Sequence, residues 1–299
     1  MTSTRVVVIA ALTNAVVAAV KIAVAAATGS AAMLAEGIHS IVDTIDELLL
    51  WVGLRRSARS PDETHPYGFG KELYFWSLVV AMVVFGVGGG ASIVEGIVRL
   101  THPTTVRPSA WSYVVLAAAG VMEGTSFYFS WRELRRRAKE QTLFRAIRTS
   151  KDPSVFTVFV EDASALVGLV VAFLGIFLSR ELHAPAMDAV ASIVIGALLA
   201  VAALLLVRES RDLLVGESAS SERVRELCKI AAADRDVVAV KSPLTMQLGP
   251  DDVLVNLEIT FGPWLTGDQI VAAIERLDRG IRTSFPSVKH LFIEAQLRR

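Results

Sequence analysis

In the stretch LAEGIHSIVDTIDELLLWVGL, residues 34–54, five side chains can ionise within an otherwise apolar run: Glu36, His39, Asp43, Asp46 and Glu47. Residues three, four and seven apart share a helix face, so Glu36, His39 and Asp43 point the same way, and Asp46 and Glu47 extend the set. An imidazole nitrogen and a carboxylate oxygen one turn apart can both reach a small cation, and the combination suits Zn²⁺ and its first-row neighbours. The pair would serve equally as a buried hydrogen bond. A second acidic pair lies in VFTVFVEDASALVGLVVAFLG, where Glu161 and Asp162 are adjacent and so point about 100° apart on a helix. One can face the His39 segment while the other reaches a partner helix. Adjacent carboxylates in an apolar span are costly unless a proton, a cation or a basic group neutralises them. Glu123, Asn14, Lys21, Asp188 and Ser192 complete the polar inventory of the apolar segments. Lys21 suits either a counter-ion or a residue reaching for an interface. Asp188, just after Pro185, suits a helix cap.

Two acidic pairs on separate helices can surround a divalent ion. Protonation of His39 and a carboxylate would weaken such a site and deprotonation restore it, which is the chemistry of ion–proton exchange. A static metal plug would use the same ligands.

The elements that must position these residues are membrane spans. Hydrophobic residues make up 53% of the 299 and charged residues 20%, with a mean hydropathy of +0.51. Six stretches approach the roughly 20 apolar residues of a span: about 6–28, 34–54, 74–98, 110–131, 156–178 and 185–207. Eight Lys and Arg residues lie between Arg132 and Lys151, and RRSAR follows the second stretch, whereas TGSAA between the first two carries no charge. The positive-inside bias therefore puts the basic loops and both termini in the cytoplasm. Thirty basic residues against thirty acidic ones argue against a nucleic-acid partner. The single Cys228 excludes an intrachain disulfide framework and a cysteine-rich metal site.

From Gly216 the pattern becomes that of a water-soluble domain. SSERVRELCKIAAADRDV reads as a helix with Val224, Leu227, Cys228 and Ala231 on one side. DDVLVNLEIT alternates as a strand, with Val253, Val255, Leu257 and Ile259 on one face. Thr266 and Gln269 form a capping-box signal for a helix striped by Ile270, Ile274, Leu277 and Ile281, and VKHLFIEAQ supplies a last strand. The expected fold is thus an all-α membrane domain of six transmembrane helices, residues 1–212, followed by a small α+β domain of αββαβ order, residues 213–299.

TGSAAMLAEGIHSIVD, HPYGFGKELYFWSLVVAM, KDPSVFTVFVEDASALVG and PAMDAVASIVIGALLAVAALLLVRESRDLLVGES, in that order, resemble the cation diffusion facilitator family, the zinc-transporter type, and within it the zinc transporter nine branch. The resemblance covers nearly the whole chain. It implies a multi-pass membrane transporter, not an enzyme, that exchanges a divalent metal for protons and dimerises through its cytoplasmic tail. The bacterial inner or plasma membrane is the expected location. By position it makes His39 and Asp43 the ligand pair of the second span and Asp162 a ligand from the fifth. Four residues before Asp162 the family carries a ligand, but here stands Val158, which cannot coordinate metal. Glu161, Glu123 or water then completes the set. Zinc is the expected cargo, with manganese, iron and cobalt as alternatives, and no resident cofactor is expected. Asp62 and His65 match two positions of a loop metal site whose third is Phe69 here, so that site is expected to be absent or weak. HPYGFGK reads as structural, its glycines permitting a tight approach to the third span. Asn256, Glu294 and the lone tail histidine His290 imply a tail that folds without metal. Two other readings stay open on the residues: an intramembrane hydrolase using Asp43 and Asp162, and a non-transporting scaffold subunit.

Overall fold

The computed structural model describes residues 2–102, 109–138 and 153–297. The basic connection of residues 139–152 lies outside the described residues. Helices occupy every stretch expected to be apolar: α1 (Thr2–Thr28), α2 (Ala31–Ser57), α3 (Glu72–Val83) running through a π-helical segment (Val84–Gly90) into α4 (Ala91–Thr101), α5 (Ala110–Ala138), α6 (Pro153–Glu181) and α7 (Ala186–Val215). Among the described residues, four helices are long and apolar enough to cross a membrane: Ala11–Thr28, Glu72–Thr101, Phe156–Glu181 and Ala186–Val215. The expectation of six spans is therefore met in that strict sense only by these four. The other two, α2 and α5, are 27 and 29 residues long, but α2 carries Glu36, Asp43, Asp46 and Glu47, and α5 carries Glu123, Glu133 and, near its end, Arg132, Arg135 and Arg136. Leu12, Val16, Val121 and Phe129 expose 60% or more of their surface, which suits a lipid surround rather than water.

The chain divides into two compact units, residues 1–55 with 73–211, and residues 56–72 with 212–299. In the first, small residues let helices approach closely. A Cβ on Gly196 of α7 would stand 2.7 Å from the Gly89 carbonyl of the π-helical segment, and one on Gly37 of α2 would stand 2.7 Å from Ile22 of α1. The start of α2 is held by Asp188 of α7, which accepts from Ser30 Oγ and the Ala31 N–H, each at 2.5 Å. The capping reading of Asp188 thus describes its place, although the helix it caps is not its own. Ser192, one turn further along, donates to the Ser92 carbonyl at 2.8 Å.

In the second unit, α8 (Ser221–Ala232) precedes β1 (Val237–Val240), β2 (Leu244–Gly249), β3 (Asp252–Phe261), α9 (Gly267–Ser284) and β4 (Val288–Leu297). β3 is central. β1 and β2 pair antiparallel with successive parts of it, and β4 pairs parallel to it after the α9 crossover. Val253, Val255, Leu257, Ile259 and Phe261 alternate into a core with Leu227, Ala231, Leu277 and Ile281. The capping box at Thr266 and Gln269 is formed. The first helix is shorter than the run through Val237 suggested. It ends at Ala232 because Arg276 of α9 grips Asp234 (3.0 Å) and Asp236 (2.6 Å), turning the chain into β1. The glycines of HPYGFGK serve a different neighbour from the one expected. Gly68 has φ +79°, and a Cβ on Gly70 would fall 2.4 Å from the Leu248 carbonyl, so the close approach is to β2 within this unit.

Candidate metal-transport cavity

The acidic helices α2 and α6 meet at a cavity of about 290 Å³ between α1, α2, α5 and α6. Asp43 and Glu47 line it from α2, Glu123 and Ser126 from α5, Val158, Glu161 and Asp162 from α6, and Asn14 from α1. α2 supplies acids at this depth because its polar face turns inward: Glu36, His39 and Asp46 are all buried. α5 and α6 are held together alongside by Phe127 stacked on Phe159, with ring centroids 5.5 Å apart.

Of the four candidate ligands, Asp43, Glu161 and Asp162 share this cavity. Glu161 and Asp162 both reach it despite their different azimuths, since the cavity is wide enough to span them. His39 is not on the lining. It lies behind Asp43, Nδ1 to Oδ1 at 3.6 Å, only 2% exposed, and neither ring nitrogen has a hydrogen-bond partner among the described residues. Asp162 is held from α5 by the Ser126 and Ser130 hydroxyls, which donate to its two oxygens at 2.9 and 2.7 Å. Among the described residues no three His, Cys, Asp or Glu side chains converge closely enough to hold a metal ion as placed. The cavity thus presents carboxylate oxygens on three helices without closing them onto one point.

Two cavity residues that sequence reasoning left outside the ligand set are joined. Asn14 Nδ2 donates to Glu47 Oε1 at 3.0 Å, while Glu47 Oε2 is buried without a hydrogen-bond partner among the described residues. Spacing did offer a signal for Glu47, four residues after Asp43 and hence on the same face. Lys21 takes the counter-ion role. It is fully buried, with its Nζ 3.2 Å from Glu36 Oε2 and 2.9 Å from Ser40 Oγ. On the 56–72 segment, Asp62 is occupied by its own turn. It accepts from the Thr64 hydroxyl and from the Thr64 and His65 N–H groups, and these bonds, the Thr64 hydroxyl first, hold its carboxyl below the usual carboxylate range. The Phe69 ring lies tilted by 36° against the His65 ring, with centroids 4.4 Å apart.

The chain is 34% identical over 236 residues to the mitochondrial proton-coupled zinc antiporter SLC30A9 of Xenopus laevis, covering 78% of this chain and 42% of that protein. It is 27% identical over 310 residues to metal tolerance protein C4 of Arabidopsis thaliana, covering 90% and 68%. It is 29% identical over 186 residues to the manganese efflux system protein MneS of Bacillus subtilis, covering 62% and 58%. The chain spans about two-fifths of the length of the SLC30A9 relatives. The cation efflux transmembrane domain model matches residues 7–215, which takes in every helix around the cavity, and the chain belongs to the cation efflux family.

Proposed function

We propose that the protein is a secondary transporter that moves a divalent transition-metal cation, zinc foremost, across a membrane in exchange for protons. The observation that carries this reading is the cavity itself: carboxylates from α2, α5 and α6 face one space within a bundle of apolar helices. Buried carboxylates of one sign need a positive partner, either bound protons or a cation. Carboxylate and imidazole donors bind metal only when deprotonated, so protons and metal compete for the same atoms. Asp43 and Asp162 are the central ligands in this reading, with His39 joining from behind Asp43 and Glu161 from α6. The Ser126 and Ser130 hydroxyls and the ion compete for the same Asp162 oxygens, so loading exchanges those hydrogen bonds for coordination. The names of the relatives, a proton-coupled zinc antiporter and a manganese efflux protein, support the same class of cargo.

In this reading all six long helical units span the bilayer, α2 and α5 with their acids turned inward. Both termini face the cytoplasm of a bacterial inner or plasma membrane, and the α8–β4 domain joins two copies. Purified protein in liposomes with an imposed pH gradient tests the function. Zn²⁺ flux should follow the gradient and collapse with it. Asp43→Ala and Asp162→Ala should each lower flux to the background of empty liposomes. Near-parental flux in both variants would sink the site.

A further inference from the structure

The cavity contains two acids beyond the ligand set just described, Glu123 and Glu47, and of these Glu47 is held in place by a hydrogen bond from a neighbouring helix. Glu47 lies one helical turn beyond Asp43 on α2 and faces the same space. Asn14, from α1, holds its Oε1 at 3.0 Å and leaves Oε2 buried without a hydrogen-bond partner among the described residues. That arrangement orients the carboxylate and leaves one oxygen to answer to something positive, because a buried oxygen without a partner carries its whole desolvation cost. A separate sign comes from the same helix: His39, 98% buried and with neither ring nitrogen hydrogen-bonded among the described residues, lies behind Asp43. Across the cavity, Val158 presents only methyl groups.

Resting on the transport reading above, we infer that Glu47 is a further metal ligand, supplying from α2 the donor that Val158 cannot, and that Asn14 positions it. The consequence is one of selectivity. Adding a carboxylate to Asp43 and Asp162 makes the donor set richer in oxygen, and oxygen donors suit Mn²⁺ where imidazole suits Zn²⁺. Glu47 therefore widens the range of the site toward Mn²⁺.

The full-length protein in liposomes, with Mn²⁺ and Zn²⁺ flux measured separately, provides the test. Glu47→Gln is nearly isosteric and keeps an oxygen for Asn14. It should raise the KM for Mn²⁺ by about tenfold or more while changing that for Zn²⁺ by less than about threefold. Asn14→Ala should shift the ratio the same way but less, as the loss of an outer-shell partner does. Glu47→Asp, which retains a carboxylate, should restore part of the Mn²⁺ preference. Equal loss for both ions, or no change in either, overturns the inference, since a structural role does not distinguish metals. If the parent transports neither ion, the transport reading fails by itself. Mn²⁺ titration calorimetry on the purified protein then decides the ligand question: about tenfold weaker binding in Glu47→Gln supports it, and unchanged binding overturns it.

Discussion

Lys21 and Glu36 are both fully removed from solvent, and the ammonium also donates to Ser40 Oγ at 2.9 Å. Such a pair loses two hydration shells on burial, so it adds little over a well-packed apolar substitute, yet breaking it strands a charge. Lys21→Met alone should therefore destabilise the membrane unit by about 3–5 kcal/mol, whereas Lys21→Met combined with Glu36→Leu should regain most of that. Thermal unfolding in detergent measures it, and an equal loss in the single and double variants would show that the pair's charges are not what matters. Residue type and spacing in the sequence identified Lys21 as either a counter-ion or an interface residue. The choice depends on the rotation of α1 against α2, which is set by Gly37 pressing against Ile22 rather than by any periodicity. The same limit applied to the ligands. Spacing put His39 and Asp43 on one face, but whether His39 lines the cavity or backs it depends on how α2 rolls against its neighbours. The serine hold on Asp162 involves a different helix altogether.

At the scale of elements, the start of α2 depends on an acceptor 157 positions away in sequence. Asp188→Ala leaves the Ala31 N–H and the Ser30 hydroxyl without that carboxylate and should cost about 1–2 kcal/mol, the usual effect of losing a cap. Asp188→Asn, which keeps an acceptor oxygen, should cost less, and the same detergent unfolding assay ranks the three proteins. In the tail, Arg276 ties α9 to the turn between α8 and β1 and holds the Asp234 carboxyl below its ordinary value, chiefly through hydrogen bonds from the guanidinium. A depressed carboxylate contributes stability above its unfolded pKa of about 4 and loses it as pH falls through the folded value. The gap in melting temperature between the parent tail and Arg276→Leu should thus be present at pH 7 and narrow as pH falls below about 4. A gap that stays constant would assign the effect to packing. Helix and strand positions were legible from apolar periodicity, as the burial of Val253 through Phe261 on alternate residues illustrates. The end of α8 was not, because the Arg276 grip is tertiary and overrides a run with adequate helix propensity.

At the scale of the whole chain, the position of a segment in sequence and the unit it packs with can differ. Residues 56–72 follow α2 and precede α3, so chain order alone assigns them to the helical part, yet their contacts assign them to the unit that includes residues 212–299. Gly70 against the Leu248 carbonyl, and the edge-on contact of Tyr67 with His290 at 5.1 Å, are the particular interactions responsible, and neither has a signature in local sequence. The core of this unit is nonetheless built mainly of apolar side chains: Leu227, Val255, Leu257, Ile259, Phe261 and Ile281 are each 1% exposed or less. At 25–30 cal/mol per Å² of buried apolar surface, such a cluster is the main driving force available to a small domain. Asn256 and Phe292 pair across β3 and β4, as do Glu258 and Glu294, so the open sheet face carries no histidine at these positions. Gly216–Arg299 expressed alone should therefore fold in the presence of chelator, and in our reading of the tail as the joining domain it should also form a dimer there. Circular dichroism checks the fold and sedimentation equilibrium the mass. A fragment that is unfolded or monomeric under chelator and becomes a folded dimer only on adding Zn²⁺ would mean that metal-coupled folding, not the apolar core, holds the tail together.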